Sequence, residues 1–323
     1  MLTQLLSVIA GFALLVWGAD RFVVGAASTA RILGVSPLLI GLTIVGFGTS
    51  APEMLVSGVA SLQGNPGLAI GNAIGSNITN IALILGITAL ITPLSVHSVT
   101  LRREMPILIA TTLVAYLLVL DGSLDFIDGM ALLGGLVVML GWMIHLGLSS
   151  RSGSDPMADE YAAEIPTDLS LAKSLLWLLV GIVVLLASSR LLVWGAVGIA
   201  QYFGVSDLII GLTIVALGTS LPELAASVVS ALKNEHDIAI GNVIGSNMFN
   251  LLAVLGLPGV IRPSPVEPEV LTRDMPNMIL LTVALLVMAN GLRARGRINR
   301  LEAGLLLLSY VGYQGLLYST TRA

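Results

Sequence analysis

The sequence contains no cysteine among its 323 residues, and only 11% of them are charged and 5% aromatic. Without cysteine, disulfides, thiol catalysis and thiolate metal sites are all excluded. The charged fraction is far below the roughly one-quarter that is typical of soluble domains. The only histidines are His97, His145 and His236. They show no HExxH or similar spacing, so we interpret them as ordinary interface residues.

Apolar residues dominate the composition. Hydrophobic residues make up 56% of the chain, and the mean hydropathy is +0.96, which predicts an integral membrane protein. A span needs about 20 apolar residues. The apolar stretches predict ten transmembrane helices, at about residues 4–27, 37–61, 67–92, 105–120, 128–148, 174–199, 206–231, 238–261, 276–292 and 302–319. The apolar start at Leu5 has no basic n-region or cleavage site and predicts a retained first span.

One hydrophilic segment, about residues 149–170, divides the spans five and five. A constant shift of 170 residues relates the two sides, and it maps Glu53 to Glu223 and Ser76 to Ser246. Because each half has an odd number of spans, the second half must enter the membrane from the opposite side. The sequence therefore predicts an all-α fold of two inverted five-helix repeats, residues 1–148 and 174–323, joined by a cytoplasmic linker at 149–173.

The basic residues predict the orientation. With the N-terminus outside, eleven basic residues fall on the cytoplasmic side and three outside, a strong positive-inside bias. The cytoplasmic set is Arg21, Arg31, Arg102, Arg103, Arg151, Lys173, Lys233, Arg293, Arg295, Arg297 and Arg300, and the external set is Arg262, Arg273 and Arg322. We expect a multi-pass protein of the cell membrane with both termini outside.

A proline and a carboxylate interrupt the second span. Residues 41–53 read GLTIVGFGTSAPE, and residues 211–223 repeat them as GLTIVALGTSLPE. An ionised glutamate at this depth costs at least a few kcal/mol, and a mid-helix proline costs about 3 kcal/mol. Thr49 and Glu53 share a helix face, and Pro52 is expected to free backbone carbonyls around residues 46–48 for a cation. A buried, protonated glutamate is the structural alternative.

The third and eighth spans begin with a second repeated motif, GNAIGSNITN at residues 71–80 and GNVIGSNMFN at residues 241–250. Ser76 and Asn80 lie four apart on one face, as do Ser246 and Asn250, and they offer neutral oxygen ligands. The other motif asparagines, which are Asn72, Asn77, Asn242 and Asn247, are equally interpreted as ligands or as contacts between helices. The four-residue spacing of Gly71 and Gly75 favours close contact with the broken helix.

Charge counting turns these motifs into a mechanism. If only Glu53 and Glu223 are ionised, the site carries two negative charges, which one Ca²⁺ or two Na⁺ would neutralise. Oxygen ligands suit such hard cations. A buried, unpaired double charge would be very costly, so the empty site should resist reorientation and the loaded site should permit it. That difference is what coupled exchange requires.

Both motifs together resemble the paired α-repeats of the cation/Ca²⁺ exchanger superfamily, in its prokaryotic sodium/calcium antiporter branch. The resemblance implies carboxylate ligands at Glu53 and Glu223, and long first and sixth helices that slide to alternate access. It also implies hydroxyl, amide and carbonyl ligands at Thr49, Ser50, Thr219, Ser220, Ser76, Asn80, Ser246, Gly46 and Ala216. Some members carry aspartate where this chain has Asn250, so the sodium-to-calcium ratio stays open.

The expected function is antiport of Ca²⁺ against Na⁺, with both ions as transported substrates and with no cofactor, no enzymatic activity and no nucleic-acid partner. A Ca²⁺/H⁺ exchanger is the alternative within the same class. A cation channel would need an open pore instead of alternating access. An intramembrane protease would need a Ser/His pair or two aspartates at membrane depth, and no such set is evident. The motifs at Arg103 to Pro106 and Arg273 to Pro276 are interpreted as helix starts.

Overall fold

The computed structural model describes residues 1–34, 46–96, 99–149, 169–290 and 296–320, and these are almost entirely helical. Their long apolar helices confirm a polytopic all-α membrane protein. Most of the predicted linker, and the start of the predicted second span with the first five residues of its motif, lie outside the described residues.

Helices account for both halves of the chain. The first half contains α1 Leu2–Ile32, α2 Gly46–Thr49, α3 Ala51–Leu62, α4 Pro66–Ile91, α5 Val99–Leu118 and α6 Phe126–Ser149. The second contains α7 Leu171–Phe203, α8 Asp207–Thr219, α9 Leu221–Leu232, α10 His236–Ile261, α11 as Val270–Asp274 and Met275–Asn290, and α12 Arg300–Thr320.

Helices occupy each of the ten predicted positions. Among the described residues, six helices are long and apolar enough to cross a membrane, and the bent pair of α8 and α9 raises that number to seven. The count of ten spans and the division into two inverted repeats therefore stay predictions.

Two interpretations of helix starts are wrong. Pro106 lies inside α5, which begins seven residues earlier at Val99, and Pro276 lies beyond a π-helical turn, Val270–Asp274, that opens α11. Only the first four N–H groups of a helix lack an intrahelical acceptor, so each proline, at the eighth residue of α5 and the seventh of α11, costs its helix one hydrogen bond. The π turn before Pro276 is the kind of local adjustment that re-satisfies freed backbone groups in membrane helices.

The two longest helices, α1 and α7, pack antiparallel through glycines. A Cβ at Gly25 would lie 2.3 Å from the backbone nitrogen of Leu178, and one at Gly195 would lie 2.7 Å from the carbonyl oxygen of Gln4. Small residues permit this approach of two backbones. Antiparallel packing of helices that occupy equivalent places is what an inverted arrangement requires.

Two short ribbons connect the halves. Strand β1 (Leu94–Ser95) pairs antiparallel with β4 (Arg297–Ile298), and β2 (Ser123–Leu124) pairs with β3 (Ser264–Pro265). Each ribbon ties the end of one motif-bearing helix, α4 or α10, to the start of the last helix of the other half. These two helices are the most buried of the long helices, so their polar side chains face protein rather than lipid, as intramembrane polar groups generally do.

Candidate cation site

Two helix breaks at equivalent places create the site. Ser50 separates α2 from α3 with φ −84° and ψ 0°, and Ser220 separates α8 from α9 with φ −84° and ψ 7°. At the second break the helix axes differ by 41°. The prolines occupy the first turn of the following helix, where they need no acceptor. Glu53 and Glu223 therefore lie in the first turns of α3 and α9, where the helix dipole favours a negative charge.

All twelve residues predicted for the site are buried, most of them completely. They are Gly46, Thr49, Ser50, Glu53, Ser76, Asn80, Ala216, Thr219, Ser220, Glu223, Ser246 and Asn250. Glu53 and Glu223 have no exposed surface at all. None of these twelve residues is exposed on the surface of the protein.

Each glutamate accepts a hydrogen bond from a serine, and two of the three bonds in this group cross between the halves. Ser220 donates to Oε1 of Glu53 across 3.3 Å, and Ser246 donates to Oε1 of Glu223 across 3.0 Å. Ser50 in turn donates to the hydroxyl of Ser246 across 3.1 Å. Glu53 thus bonds to a residue three positions before Glu223, and the partner of Glu223 also bonds to Ser50, three positions before Glu53. The fold therefore brings together the regions of the two carboxylates, which lie 170 residues apart in the sequence.

The site contains a set of buried oxygen atoms that accept no hydrogen bond. They are Oε2 of Glu53, Oε2 of Glu223, Oγ of Ser76, Oδ1 of Asn80 and Oδ1 of Asn250. Leaving a buried acceptor unpaired costs about 1–3 kcal/mol each, so a group of five requires a partner. Carboxylate, hydroxyl and amide oxygens are the ligands of hard cations such as Ca²⁺ and Na⁺.

The chemistry of the site argues against a transition metal. Among the side chains that the structure describes, no three His, Asp or Glu residues come together as a metal cluster. A cation here would take two carboxylates and several neutral oxygens, which is a poor donor set for Zn²⁺ or Cu⁺.

Asn72 and Asn242, which the sequence analysis interpreted equally as ligands or as contacts between helices, form hydrogen bonds between the two halves. Asn72 donates to the carbonyl of Glu53 (3.2 Å) and accepts from Thr219 (3.1 Å). Asn242 does the same with the carbonyl of Glu223 (3.3 Å) and with Thr49 (3.3 Å). Each amide thus holds a threonine of the opposite half beside its own glutamate.

The expectation of freed carbonyls is wrong for Gly46 and Ala216. The carbonyl of Gly46 accepts from the N–H of Ser50 (3.4 Å) and from the hydroxyl of Thr49 (3.2 Å). The carbonyl of Ala216 likewise accepts from Ser220 (3.2 Å) and Thr219 (3.4 Å). A proline removes only the bond to the fourth residue before it, so Pro52 affects Gly48 and leaves Gly46 paired.

The family model described as sodium/calcium exchanger protein matches residues 3–145 and 173–319. The chain is a member of the sodium/calcium exchanger family. The resemblance seen in the two motifs is thereby confirmed. The protein is a transporter of the cation/Ca²⁺ antiporter class and not an enzyme.

Relatives and a solved structure match nearly the whole exchanger. CaxA of Alkalimonas amylolytica is 51% identical over 320 residues, which cover 99% of this chain and 100% of that protein. The sodium/calcium exchanger MaX1 of Methanosarcina acetivorans is 30% identical over 95% of this chain and 96% of its own. A structure of the sodium-calcium exchanger NCX_Mj, soaked with Na⁺ and Sr²⁺, has 33% identity and a TM-score of 0.68, with 96% and 97% of the two chains covered.

The exchanger has a feature that sequence analysis missed, which is π-helical geometry beside the candidate ligands. In α4 a π segment runs over Thr79–Ile84, and in α10 one runs over Asn250–Val254. Each begins at or one residue before the third asparagine of its motif. Such π segments occur frequently at functional sites, and the widened turn lets Asn80 and Asn250 leave the regular helical ladder. Neither segment contains a proline or a glycine that could have signalled it.

Proposed function

We propose that this exchanger moves Ca²⁺ against Na⁺ by alternating access to one site between Glu53 and Glu223. The observation that carries the proposal is a pair of buried carboxylates, one from each half, whose Oε2 atoms have no hydrogen-bond partner, together with three further buried oxygen atoms that have none.

Charge balance supports the exchange of these two ions. Two carboxylates carry two negative charges, and either one Ca²⁺ or two Na⁺ would neutralise them. Burying the pair uncompensated is costly, so the empty protein should not carry the site across the membrane. Each direction of movement then requires a bound cation, and this requirement couples the two fluxes.

The proposed ligands are the atoms that the fold leaves unpaired on Glu53, Glu223, Ser76, Asn80 and Asn250. The hydroxyls of Ser50, Thr49, Thr219, Ser220 and Ser246 are further candidate ligands, whereas the carbonyls of Gly46 and Ala216 already accept two hydrogen bonds each and are not among them. The relatives point to the same ions, because MaX1 is named a sodium/calcium exchanger and NCX_Mj was soaked with Na⁺ and Sr²⁺.

The proposal includes the arrangement in the membrane. Residues 1–148 and 174–323 form the two inverted halves, in the cell membrane, with both termini outside as the positive charges favour. The antiparallel pair of α1 and α7 moves relative to the remaining helices when access alternates.

Ca²⁺ flux in reconstituted vesicles tests the function. With Ca²⁺ inside, an inward Na⁺ gradient should drive its release, and equal K⁺ or choline gradients at constant pH should not. A pH gradient that drives Ca²⁺ flux in the absence of Na⁺ would instead establish the proton exchanger. That alternative has its own support, because each glutamate has one oxygen without a partner, to which a proton could bind.

Asn250→Asp should change the coupling while transport continues. Both polar atoms of this side chain are buried and unpartnered, so aspartate adds a third negative charge where no neighbour compensates it. We expect an additional Na⁺ or proton per cycle, seen as a shifted reversal potential or as inhibition at lower pH. Flux measured against imposed Na⁺, voltage and pH gradients gives both quantities.

Asn234→Asp is the matched control for this substitution. Asn234 is exposed in a turn with φ +66°, a conformation that aspartate also tolerates. It should leave the coupling unchanged. If Asn250→Asp keeps both the reversal potential and the pH profile of the unaltered protein, its position is not part of the site.

A further inference from the structure

The hydrogen bonds of the site follow the 170-residue equivalence, but only in part. The hydrogen bonds of Asn72 and those of Asn242 to a glutamate carbonyl and to a threonine are equivalent in the two halves, as described above. The same holds for Ser57, which donates to the carbonyl of Ala69, and for its equivalent Ser227, which donates to that of Ala239, both at 3.3 Å. These bonds are equal in the two halves, so they do not distinguish one side of the protein from the other.

A second group of bonds is made once only. The amide nitrogen of Asn80 donates to Oδ1 of Asn247 across 2.9 Å and to the hydroxyl of Ser246 across 3.1 Å. The equivalent bonds would join the amide nitrogen of Asn250 to Oδ1 of Asn77 and to the hydroxyl of Ser76. Neither is made, although Nδ2 of Asn250, Oδ1 of Asn77 and Oγ of Ser76 are all buried and have no partner.

A bound cation cannot explain all three of these unpaired atoms. Oxygen atoms of Ser76 can ligate a metal ion, but the amide nitrogen of Asn250 is a donor and has no lone pair to offer. It needs an acceptor, and Oδ1 of Asn77, the acceptor that the 170-residue equivalence assigns to it, is unpaired as well. An unpaired donor and an unpaired acceptor in equivalent positions indicate a bond that forms in another arrangement of the same residues.

The apolar residues around the site also differ between the two halves. A Cβ at Gly218 would lie 1.8 Å from the ring of Phe12, whereas a Cβ at the equivalent Gly48 would meet Val23 at 2.4 Å. The residue equivalent to Phe12 is Ile182, which contributes to an open apolar cavity of about 240 Å³ beside α2 and α3. Different side chains therefore cover the two equivalent glycines, and Ile182 lines the cavity where its equivalent Phe12 packs on Gly218.

We propose that Asn247 and Asn77 are positioning residues that alternate. In the present arrangement Asn247 accepts a hydrogen bond from the amide nitrogen of Asn80, and Oδ1 of Asn80 remains available to the site. In the opposite arrangement Asn77 fixes Asn250 in the same way, and the bond to Asn247 is released. The exchange of partners decides which of these two ligands is held in place by a neighbouring asparagine on each side of the membrane. This inference rests on the proposed alternating access.

The two substitutions Asn247→Ala and Asn77→Ala separate this role from a general contribution to stability. Removing Asn247 takes away the bond to Asn80 of the present arrangement, and removing Asn77 takes away the proposed bond to Asn250 of the opposite one. The bond that the amide of Asn77 donates to the carbonyl of Ala73 in its own helix is lost in both arrangements and does not change their ratio. A neutral hydrogen bond contributes about 0.5–1.5 kcal/mol, so the ratio of the two populations should change about 3- to 10-fold, in opposite directions.

Distances between spin labels report that ratio, and the absence of cysteine means that labels attach only where they are introduced. One cysteine pair is Leu62→Cys with Phe203→Cys, and the equivalent pair is Leu33→Cys with Leu232→Cys. All four side chains are exposed, at 58–73%. When one pair becomes closer on average, the other should become more distant, in protein reconstituted in lipid nanodiscs.

Two controls accompany the measurement. The double variant Asn77→Ala/Asn247→Ala should return the ratio toward that of the unaltered protein. Asn72→Ala removes bonds whose counterparts exist in the other half, so it should shift the ratio in neither direction. Shifts of the same sign in the two single variants, or no shift in either, overturn the inference. Absence of Ca²⁺ exchange in the unaltered protein would instead overturn the proposed function, so the two failures are distinguishable.

Discussion

Replacing Glu53 or Glu223 by glutamine is expected to reduce Ca²⁺ exchange by at least about 100-fold. Glutamine keeps the shape of the side chain but removes one of two buried charges that the cation must neutralise. Breaking a buried ion pair costs about 3–5 kcal/mol, and each 1.4 kcal/mol corresponds to about a factor of ten in binding. Ca²⁺ flux in vesicles measures the loss directly.

Thermal unfolding shows whether the loss comes from binding or from misfolding. Without ions, either glutamine variant should be at least as stable as the unaltered protein, because one unpaired buried charge is gone. A ligand that binds only the folded state raises the melting temperature, so added Ca²⁺ should stabilise the unaltered protein and not the variants. Glu269→Gln, an exposed position, is the control and should keep both flux and stabilisation. Near-normal Ca²⁺ uptake by either site variant would remove the proposed role of the glutamates.

The sequence was informative about the site because its signals are chemical and repeated. A carboxylate and a proline inside an apolar span each cost free energy. Because Glu53 and Glu223 both occur with the same neighbours, a functional role was a better explanation than chance. The same logic predicted burial of Ser76, Asn80, and their equivalents. Local patterns also placed a helix at every predicted span, although their ends differ by several residues.

The sequence alone could not predict the hydrogen-bond partner of each polar side chain. Thr219 donates to Asn72 across 147 residues of chain, and Ser50 meets Ser246 across 196. Such pairs are set by how two buried helices cross, and no local propensity encodes that crossing. For the same reason the sequence could not separate asparagines that tie the halves, such as Asn72, from asparagines that offer a free oxygen, such as Asn80.

Glycine explains how the two motif regions come so close. Gly71 of α4 and Gly211 of α8 face each other, and a Cβ on either would lie 3.1 or 3.0 Å from the Cα of the other. The sequence predicted that Gly71 brings its helix against a broken helix, and the structure identifies this as the broken helix of the opposite half. Because Glu223 follows on from α8 and Ser76 from Gly71, this crossing sets the dimensions of the site.

Gly71→Ala and Gly211→Ala are therefore expected to be strongly damaging. The added methyl groups would meet backbone oxygens at 2.3 Å (Leu208) and 2.5 Å (Leu68), and backbone atoms cannot move aside as a side chain can. Overpacking of this kind costs about 1–3 kcal/mol or more. The helices should separate, with a lower melting temperature and at least about a tenfold loss of Ca²⁺ exchange.

Gly134→Ala is the matched control, since Gly134 is exposed on α6 and a Cβ there would meet no atom within 4 Å. Alanine favours a helix over glycine by about 1 kcal/mol, so this variant should be as stable as the unaltered protein or slightly more so. The ion dependence separates geometry from folding. If the crossing sets the site, Gly71→Ala should lose stabilisation by Ca²⁺ even at temperatures where it remains folded. Full stabilisation by Ca²⁺ together with normal exchange would mean that the two helices need not approach so closely for the site to form.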